Sequence, residues 1–439
     1  MIHRIPDWSS TTEAQRQTAA ADSRRRIETC GRKLNAVATM VPEALPRSGP
    51  LSGMPYAAKD MIATGCHPGS WGCASSPAPA TARAPILERL DAAGARLIAS
   101  TEMTELAYEP SGYNVHRGRV LNPWNFDRIT GGSSSGSAAL VASGCCPIAL
   151  GSDSGGSVRI PAHCCGITAL KTTSNALPLD GVMPLAPSLD TIGLMSRSAA
   201  DLALVWPILS QTKPDTSRTR RRLALIDDAI SECQPQIARA CKTAIAIFES
   251  LGIGVSSHTS FPDAADREAL LVLQAEAARS HHERANDDRI DPILRKRLGK
   301  GLNITDAELS ASLDKRTTLQ HLFIDSIKDA DAVLIPVMPV STPGIAETDP
   351  TSSEFRPSTL YALSRFTRFV NYLGLPALVL PVDEDQETGM PIGMQLIGRP
   401  NDEALLIDLA LRFQAVTDWH GRVPHAIAAE IAAEKGWVA

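Results

Sequence analysis

Two glycine pairs that each lead into a serine constrain this chain more than any other feature. They lie at residues 131–133 and 155–157, and the residues between them read SSGSAALVASGCCPIALGSDS. Flexible linkers rarely contain apolar segments such as SAALVASG and PIALGSDS, so the stretch predicts a packed helix and a strand between two loops. Glycine lets a ligand approach main-chain N–H groups closely. A serine in such a loop can act as a nucleophile whose oxyanion is met by backbone donors.

Helix, glycine and strand alternate elsewhere in the chain as well. Residues 84–100 and 241–258 each show helical spacing, then glycine, then a short apolar segment. Repeated alternation of this kind predicts an α/β fold built in layers. Residues 264–330 are instead polar, charged and helical in pattern. Three later apolar segments predict further strands: 330–340, 374–382 and 391–400.

The domain organisation follows from the lack of a convincing linker. The best candidate is 212–220, but the strands predicted after it resemble additions to the same sheet. We therefore expect a single domain over residues 1–439. Its core would comprise 51–210 and 330–420, with a helical insertion at about 264–330.

Charge and composition argue against several partners. The net charge is −5, from 43 basic and 48 acidic residues, and only 4% of residues are aromatic. We expect no nucleic-acid partner from this balance. No apolar run reaches membrane-spanning length, so we expect no membrane contact either. The nine cysteines are odd in number and include no CxxC pair. They predict free thiols in a reducing compartment, and the expected location is the cytoplasm.

A serine nucleophile needs a base, and two kinds of residue are candidates. The ten histidines are scattered, and His281 and His282 fall on a charged helix where we expect them to face solvent. The alternative is a lysine kept neutral by burial. Lys59 follows the apolar run PYAA, where a strand end could bring its amine inside. The local pattern alone slightly favours a surface pair with Asp60 instead.

Other chemistries have little support. The serine loops contain no G-x-S-x-G elbow and no G-x-x-x-x-G-K-[ST] phosphate loop. No H-E-x-x-H cluster is present, so we expect neither a metal nor another cofactor. Cys164 and Cys165 resemble buried packing residues more than reactive thiolates. The role of His163 stays open at this point.

The chain resembles the amidase-signature hydrolases. The match runs through GGSSSGSAALVASG and ALGSDSGGSVRIPAHCCGITALKT. It extends to the lysine of PYAAKD, to NPW at 122–124, to SLDTIG at 188–193, and to the C-terminal GLPALVLPV and GMPIGMQLIGRPNDEALL. The resemblance implies a large, mixed, twisted β-sheet sandwiched between α-helices. It also implies an amidase that cleaves a non-peptide C–N bond through a serine acyl-enzyme.

The family's Ser–cis-Ser–Lys triad transfers onto three residues of this sequence. By motif, Ser157 would be the nucleophile, Ser133 the bridging serine that follows a cis peptide bond, and Lys59 the base. Backbone N–H groups of Ser154, Gly155, Gly156 and Ser157 would form the oxyanion hole.

The same resemblance implies supporting residues. Asp153 and Arg159 would form a paired charge that braces the nucleophile loop, with Ser134 beside them. Gly132, Ala107 and Tyr108 would touch substrate. Arg365, Arg368 and Asn371 could reach the mouth of the site, although their pattern slightly favours a solvated face.

The substrate and the assembly remain open at the level of sequence. A stand-alone hydrolase of a small-molecule amide is the main expectation. The alternatives are the catalytic subunit of a tRNA-dependent Asp/Glu amidotransferase, which passes ammonia to a partner, and a hydrolase of urea- or biuret-type compounds. A homodimer is left open. A ligand-binding scaffold without activity is disfavoured because all three triad residues are present.

Overall fold

The computed structural model describes Trp8 and residues 11–43, 47–75, 82–212 and 221–428. Within these residues, one mixed sheet of eleven strands is flanked by helices, as the resemblance implied. The strands are β1 Val37–Met40, β2 Pro55–Lys59, β3 Arg96–Thr101, β4 Ile148–Asp153, β5 Thr168–Lys171, β6 Thr191–Ser196, β7 Arg222–Ile226, β8 Gly254–Thr259, β9 Ala332–Pro336, β10 Ala377–Glu384 and β11 Pro391–Ile397.

Fourteen α-helices occur in the same described ranges. They are α1 Glu13–Arg26, α2 Pro85–Ala92, α3 Ser135–Ala142, α4 Arg159–Cys165, α5 Ala199–Ser210, α6 Asp227–Ser231, α7 Pro235–Ser250, α8 Asp263–Ser280, α9 Pro292–Gly301, α10 Asp306–Ser326, α11 Ile345–Thr348, α12 Pro357–Leu363, α13 Arg368–Tyr372 and α14 Glu403–Ala415. Short 3-10 turns cover Glu105–Ala107, His282–Asn286, Trp419–Gly421 and His425–Ile427, and one π turn covers Ile27–Gly31.

The strand order is β1-β3-β2-β4-β6-β5-β10-β11-β9-β7-β8. Strand β2 runs parallel to both β3 and β4, and β7 runs parallel to β8 and β9, whereas the central pairs are antiparallel. The strands that follow the candidate linker therefore extend the same sheet, as predicted. Residues 213–220 of that linker lie outside the described residues.

The central strands of the sheet are buried on both faces. Every residue of β2, β4, β5, β6, β9 and β11 is buried. Helix α3 packs on β4, β2 and β6, and α4 packs on β11, β10 and β5. A sheet covered in this way needs no alternation of polar and apolar positions.

Helices α8, α9 and α10 occupy most of the segment predicted to be a helical insertion. The N-terminal helix predicted within residues 11–30 is also present as α1, whose Thr12 and Gln15 form a reciprocal capping box. No helix in the described part of the chain is long and apolar enough to cross a membrane.

Candidate active site

Strand ends bring a lysine and a serine loop together. Lys59 is the last residue of β2, and β4, its parallel neighbour, ends at Asp153. The carboxyl ends of adjacent parallel strands lie at the same edge of a sheet, where α/β proteins commonly place their sites. The loop 154–158 then leads from β4 into α4.

The Lys59 amine is bonded to two serines in the interior. Its Nζ donates to Ser133 Oγ at 2.6 Å and to Ser152 Oγ at 2.8 Å. Ser152 in turn donates its hydroxyl proton to Met61 Sδ at 3.0 Å. Lys59 is fully buried. The surface pair with Asp60, which the local pattern favoured, is therefore wrong.

Burial also sets the protonation of this lysine. Desolvation lowers the pKa of Lys59 to about 7, against the opposing attraction of Asp153 and Asp190. An amine in this range is neutral in a large fraction of molecules near pH 7, so it can accept a proton. His163 offers no comparable base, because burial lowers its pKa to about 4 and its Nδ1 accepts the Gly393 N–H at 3.1 Å.

The peptide bond between Gly132 and Ser133 is cis, as the resemblance implied. A Cβ on Gly132 would lie 2.7 Å from the Glu109 carbonyl oxygen, so the position leaves no room for a side chain. The Gly132 N–H donates to the Pro110 carbonyl at 2.7 Å. Gly132 is not among the residues that line the large cavity described below, and the expectation that it touches substrate stays a prediction.

Ser157 lies at the boundary between the interior and a cavity of about 540 Å³. Its side chain is half-buried, and its hydroxyl makes no hydrogen bond to any described residue. The Ser157 carbonyl accepts the Ser134 N–H at 3.2 Å, which ties the two serine loops together. Ser134 Oγ also donates to the Ser152 carbonyl at 3.3 Å.

The nucleophile loop is fixed by a buried ion pair. Arg159 Nη2 lies 2.9 Å from Asp153 Oδ1, and both side chains are fully buried. Arg159 also donates to Gln395, to the Thr367 carbonyl and to Asn371. The Arg159 guanidinium holds the pKa of Asp153 well below its usual range, although burial alone would raise it. The expected brace is present in the structure.

Of the four backbone N–H groups predicted to form the oxyanion hole, three donate no hydrogen bond to a described residue and one does. Within the described residues, the N–H groups of Ser154, Gly155 and Ser157 make no hydrogen bond. The Gly156 N–H instead donates to Asp153 Oδ1 at 2.8 Å. The expectation for Gly156 as a donor is therefore corrected: its N–H anchors the loop to the ion pair.

Gly156 has a different requirement that explains its identity. Its φ is +129°, and a Cβ there would lie 2.3 Å from Thr367 Oγ1. That hydroxyl donates to the Gly155 carbonyl at 2.6 Å. The close approach needs a residue without a side chain.

Sequence reasoning missed several residues that hold the loop. Ser152, Thr367 and Gln395 have no local signal, because the last two lie more than 200 residues along the chain from the serines they support. Asp190 accepts the Ser154 hydroxyl at 2.5 Å and two further backbone N–H groups, and it falls in the SLDTIG segment that resembled the family.

Residues 365–371 are not the solvated face that their pattern favoured. Asn371 is fully buried and donates to the Asp153 carbonyl at 2.8 Å. Arg368 lies beside the cavity and pairs with Asp266 of α8 at 2.7 Å, and Arg365 bonds the same carboxylate. His281 was also expected to face solvent, but it is buried, and burial lowers its pKa to about 4.

Several separate stretches of chain form the cavity. Ala107 and Tyr108, the expected substrate contacts, line it together with Ser154, Gly155, Ser157 and Ile160. Other walls come from α8, α9 and α12, through Leu270, Leu273, Ile293, Lys296, Lys300, Leu360 and Tyr361 among others. Much of the cavity wall thus comes from segments other than the loop that contains Ser157.

Comparisons with known proteins agree with this geometry. A family model described as Amidase matches residues 10–407. The 2-amino-5-chloromuconic acid deaminase of Comamonas testosteroni is 30% identical, over 84% of this chain and 82% of its own length. One of the subunits of the glutamyl-tRNA(Gln) amidotransferase of Nitrosococcus oceani is 32% identical, over 91% of this chain and 94% of its own length.

Solved structures share the fold. The crystal structure of an amidase, 27% identical, superposes with a TM-score of 0.84 over 94% of this chain and 98% of that one. The structure of 6-aminohexanoate cyclic dimer hydrolase complexed with substrate also gives a TM-score of 0.84, at 23% identity, over 96% and 97%.

Proposed function

The chain belongs to the amidase family, and from this premise we propose that its hydrolysis of amide C–N bonds uses Ser157, Ser133 and Lys59. The observation that carries the proposal is the 2.6 Å hydrogen bond between buried Lys59 and Ser133, beside a cavity lined by Ser157. Ser157 would be the nucleophile, Ser133 the proton relay and Lys59 the base.

The surroundings of Lys59 suit it to that role. A neutral amine has two N–H bonds and one lone pair. Ser152 donates its own proton to Met61, so its oxygen is left to accept an N–H of Lys59. The lone pair is then available to Ser133, the other serine in contact.

The proposed reaction passes one proton along this relay. The Ser157 oxygen bonds to the amide carbonyl carbon while its proton moves to Ser133 and the Ser133 proton moves to Lys59. The oxyanion accepts from the N–H groups of Ser154, Gly155 or Ser157. The C–N bond then breaks, and the relay returns a proton to the leaving nitrogen. Water attacks the Ser157 ester through the same relay and releases the carboxylic acid.

Replacement of Ser157 tests the proposal. Ser157→Ala should abolish amide hydrolysis while the circular dichroism spectrum and melting temperature stay near those of the wild type. Wild-type protein incubated with a slowly hydrolysed amide should gain the acyl mass on the peptide that contains Ser157. Substantial turnover by Ser157→Ala, or an acyl group on another residue, would contradict it.

A second candidate function is that of one component of an amidotransferase. The relative that is 32% identical along nearly the whole chain favours it, because its name assigns it to a glutamyl-tRNA amidotransferase. Ammonia release can be assayed over aliphatic, aryl, urea-type and dicarboxylic amides and glutamine. Turnover by the isolated chain supports a stand-alone enzyme that acts on a small-molecule amide. Glutamine turnover that requires a co-purified protein supports the amidotransferase.

We further propose that the enzyme acts in the cytoplasm. None of the nine cysteines, all of which lie in the described residues, forms a disulfide bond, and Cys145 and Cys146 are among the buried ones. Thiols in this number without disulfide bonds suit a reducing compartment.

A further inference from the structure

We propose that the substrate carries an anionic group remote from the amide, held by the cationic face of α9. This inference rests on the proposed function, since it assigns a substrate class to the same cavity. Lys296, Arg297 and Lys300 form that face.

The spacing along α9 places these cations on one side of the helix. Residues 293, 296, 297 and 300 are three or four positions apart, which aligns them on a single face. All four line the cavity. Leu294 and Leu298 are buried on another side and fix the helix against the protein.

No salt bridge joins the three cations to a described carboxylate, although Glu109 attracts Arg297 at longer range. None of them forms a salt bridge or a hydrogen bond with a described residue. Arg295 on the same helix differs, since it pairs with Asp288 and does not line the cavity. Unpaired basic side chains around a cavity attract an anion. Lys296 and Lys300 are exposed to solvent, and Arg297 is half-buried.

Two carboxylates that line a small pocket together with Arg297 accept hydrogen bonds from backbone N–H groups. Glu109 Oε2 accepts the N–H groups of Ser111 and Tyr113, and Glu105 accepts the Asp291 N–H at 2.9 Å. Burial raises the pKa of both glutamates. Of the three cations of α9, Arg297 is the one that stabilises the Glu109 carboxylate. Lys296 and Lys300 are therefore the cations most available to a ligand.

The part of the cavity near Ser157 is neutral and apolar. Leu273 and Ile160 are the apolar side chains nearest to the loop, within 3.6 Å of the Cβ positions of Gly155 and Gly156 respectively. Arg368 lies there too, but its charge is matched by Asp266 at 2.7 Å. The substrate should therefore present an apolar segment to this region and place its anion beyond it.

Helix α8 lies between the serine loop and α9. Leu273 approaches the serine loop, and the next residue, Gln274, lies close to Gly301 at the end of α9. We therefore expect a spacer between the scissile carbonyl and the anion.

A matched substrate series tests this inference. The series contains primary amides with methylene spacers of increasing length that end in carboxylate, phosphate, or a methyl group. The wild type should show a KM at least about tenfold lower for one of the anionic sets than for the methyl set, with similar kcat. Its advantage should shrink as salt is raised, because screening acts on the charged contact alone. The preferred anionic set identifies the headgroup.

Variants assign the effect to α9. Lys296→Gln combined with Lys300→Gln should raise KM for the anionic amide about tenfold and raise KM for the methyl amide much less. Arg295→Gln is the control, because it removes a charge from the same helix outside the cavity. Equal KM values for anionic and methyl amides, or an unchanged preference in the lysine variant, would overturn the inference.

Failure of this inference differs from failure of the proposed function. If the methyl amides are hydrolysed and Ser157→Ala is inactive, the function stands whatever the headgroup preference. If lysine replacement affects only activity that depends on added tRNA, the α9 face contacts nucleic acid, and the small-anion inference is wrong.

Discussion

Lys59 owes its chemistry to the position at which its strand ends. Full burial at the end of β2 lowers its pKa to about 7, although two aspartates oppose the change. Lys171 is equally buried and has its pKa lowered to about 7 as well, but its Nζ donates to the carbonyls of Thr172 and Leu375. Only Lys59 bonds a serine of the site, so burial alone does not make a base.

The pH dependence of catalysis should report Lys59. In the proposed mechanism the neutral amine is the active form, so kcat/KM should rise with pH through about 7 and then level off. Lys59→Arg should be inactive across this range, because a guanidinium keeps its proton.

Initial rates between pH 5 and 9 measure this profile for a substrate without ionisable groups. Lys171→Met is the matched control, and whatever activity it retains should keep the same inflection. An inflection that disappears in Lys171→Met, together with a near wild-type rate in Lys59→Ala, would contradict the assignment.

The two glycines before Ser157 should respond differently to alanine. At Gly156 a Cβ would meet Thr367 Oγ1 at 2.3 Å, at a φ of +129°. At Gly155 the nearest atoms are 3.6 and 3.7 Å away, which is ordinary contact. Gly156→Ala should reduce the free energy of unfolding by about 1–3 kcal/mol, and Gly155→Ala by much less.

Urea unfolding of both variants measures the difference. Equal free energies of unfolding for the two variants would contradict the steric conflict expected at Gly156.

At the scale of elements, α8 is joined to the site by charge. Asp266 of α8 contacts Arg365 and Arg368, which lie before and at the start of α13. Arg365 also stacks on Phe261, with its guanidinium carbon 3.9 Å from the ring centre. These contacts position the wall of the cavity next to the nucleophile loop.

Loss of the Asp266 charge should therefore destabilise the protein. Asp266→Asn leaves the guanidinium of Arg368 buried without its carboxylate, and broken buried pairs of this kind cost about 3–5 kcal/mol. The exposed pair Arg412–Asp408 on α14 provides a control. Arg412→Gln should change the free energy of unfolding by no more than about 1 kcal/mol. Similar midpoints of denaturation for the two variants would refute the expected coupling.

Sequence patterns were informative about elements for a physical reason. The segments SAALVASG and PIALGSDS correspond to α3 and β4. Their apolar residues are consecutive in the chain and glycine lies in the adjoining loops, so both elements are visible in the local pattern. Local pattern does not decide the direction of the Lys59 side chain, since Asp60 beside it offers an alternative partner. Only the neighbouring strand β4 and the loop of Ser133 decide that the amine points inward.

Contacts between distant segments could not be predicted from local pattern. Arg368 and Asn371 have the composition of a surface helix, yet Asn371 is buried against Asp153, which lies 218 residues earlier. The Gly156 N–H was assigned to the oxyanion because the motif places it there. The Asp153 carboxylate takes it instead, and that choice depends on how Arg159 orients the carboxylate.

At the scale of the whole molecule, burial governs the reactivity of the cysteines. Cys66 is exposed, Cys233 is half-buried, and the other seven are buried. Burial raises the pKa of the thiols of Cys146 and Cys164 to about 12. Thiolates are the reactive form, so most of these side chains should be inert in the folded protein.

Alkylation followed by mass spectrometry should show this order. Iodoacetamide should label Cys66 first in the native protein and all nine cysteines after denaturation, and amide hydrolysis should survive the native labelling. Cys66→Ser should lose the early label and keep its activity. Loss of activity in step with labelling of Cys164 or Cys165 would point to a thiol in the reaction.

The origin of the cavity walls has a consequence for how such a protein can diversify. The groups that we propose break the bond come from β2, β4 and the loops beside them, whereas much of the remaining cavity wall comes from α8, α9 and α12. Substitutions in the latter helices can accumulate without touching a reacting atom, provided that Asp266 is retained. A transplant of 263–326 between homologues should therefore exchange substrate preference while the rate-determining chemistry is inherited from the recipient.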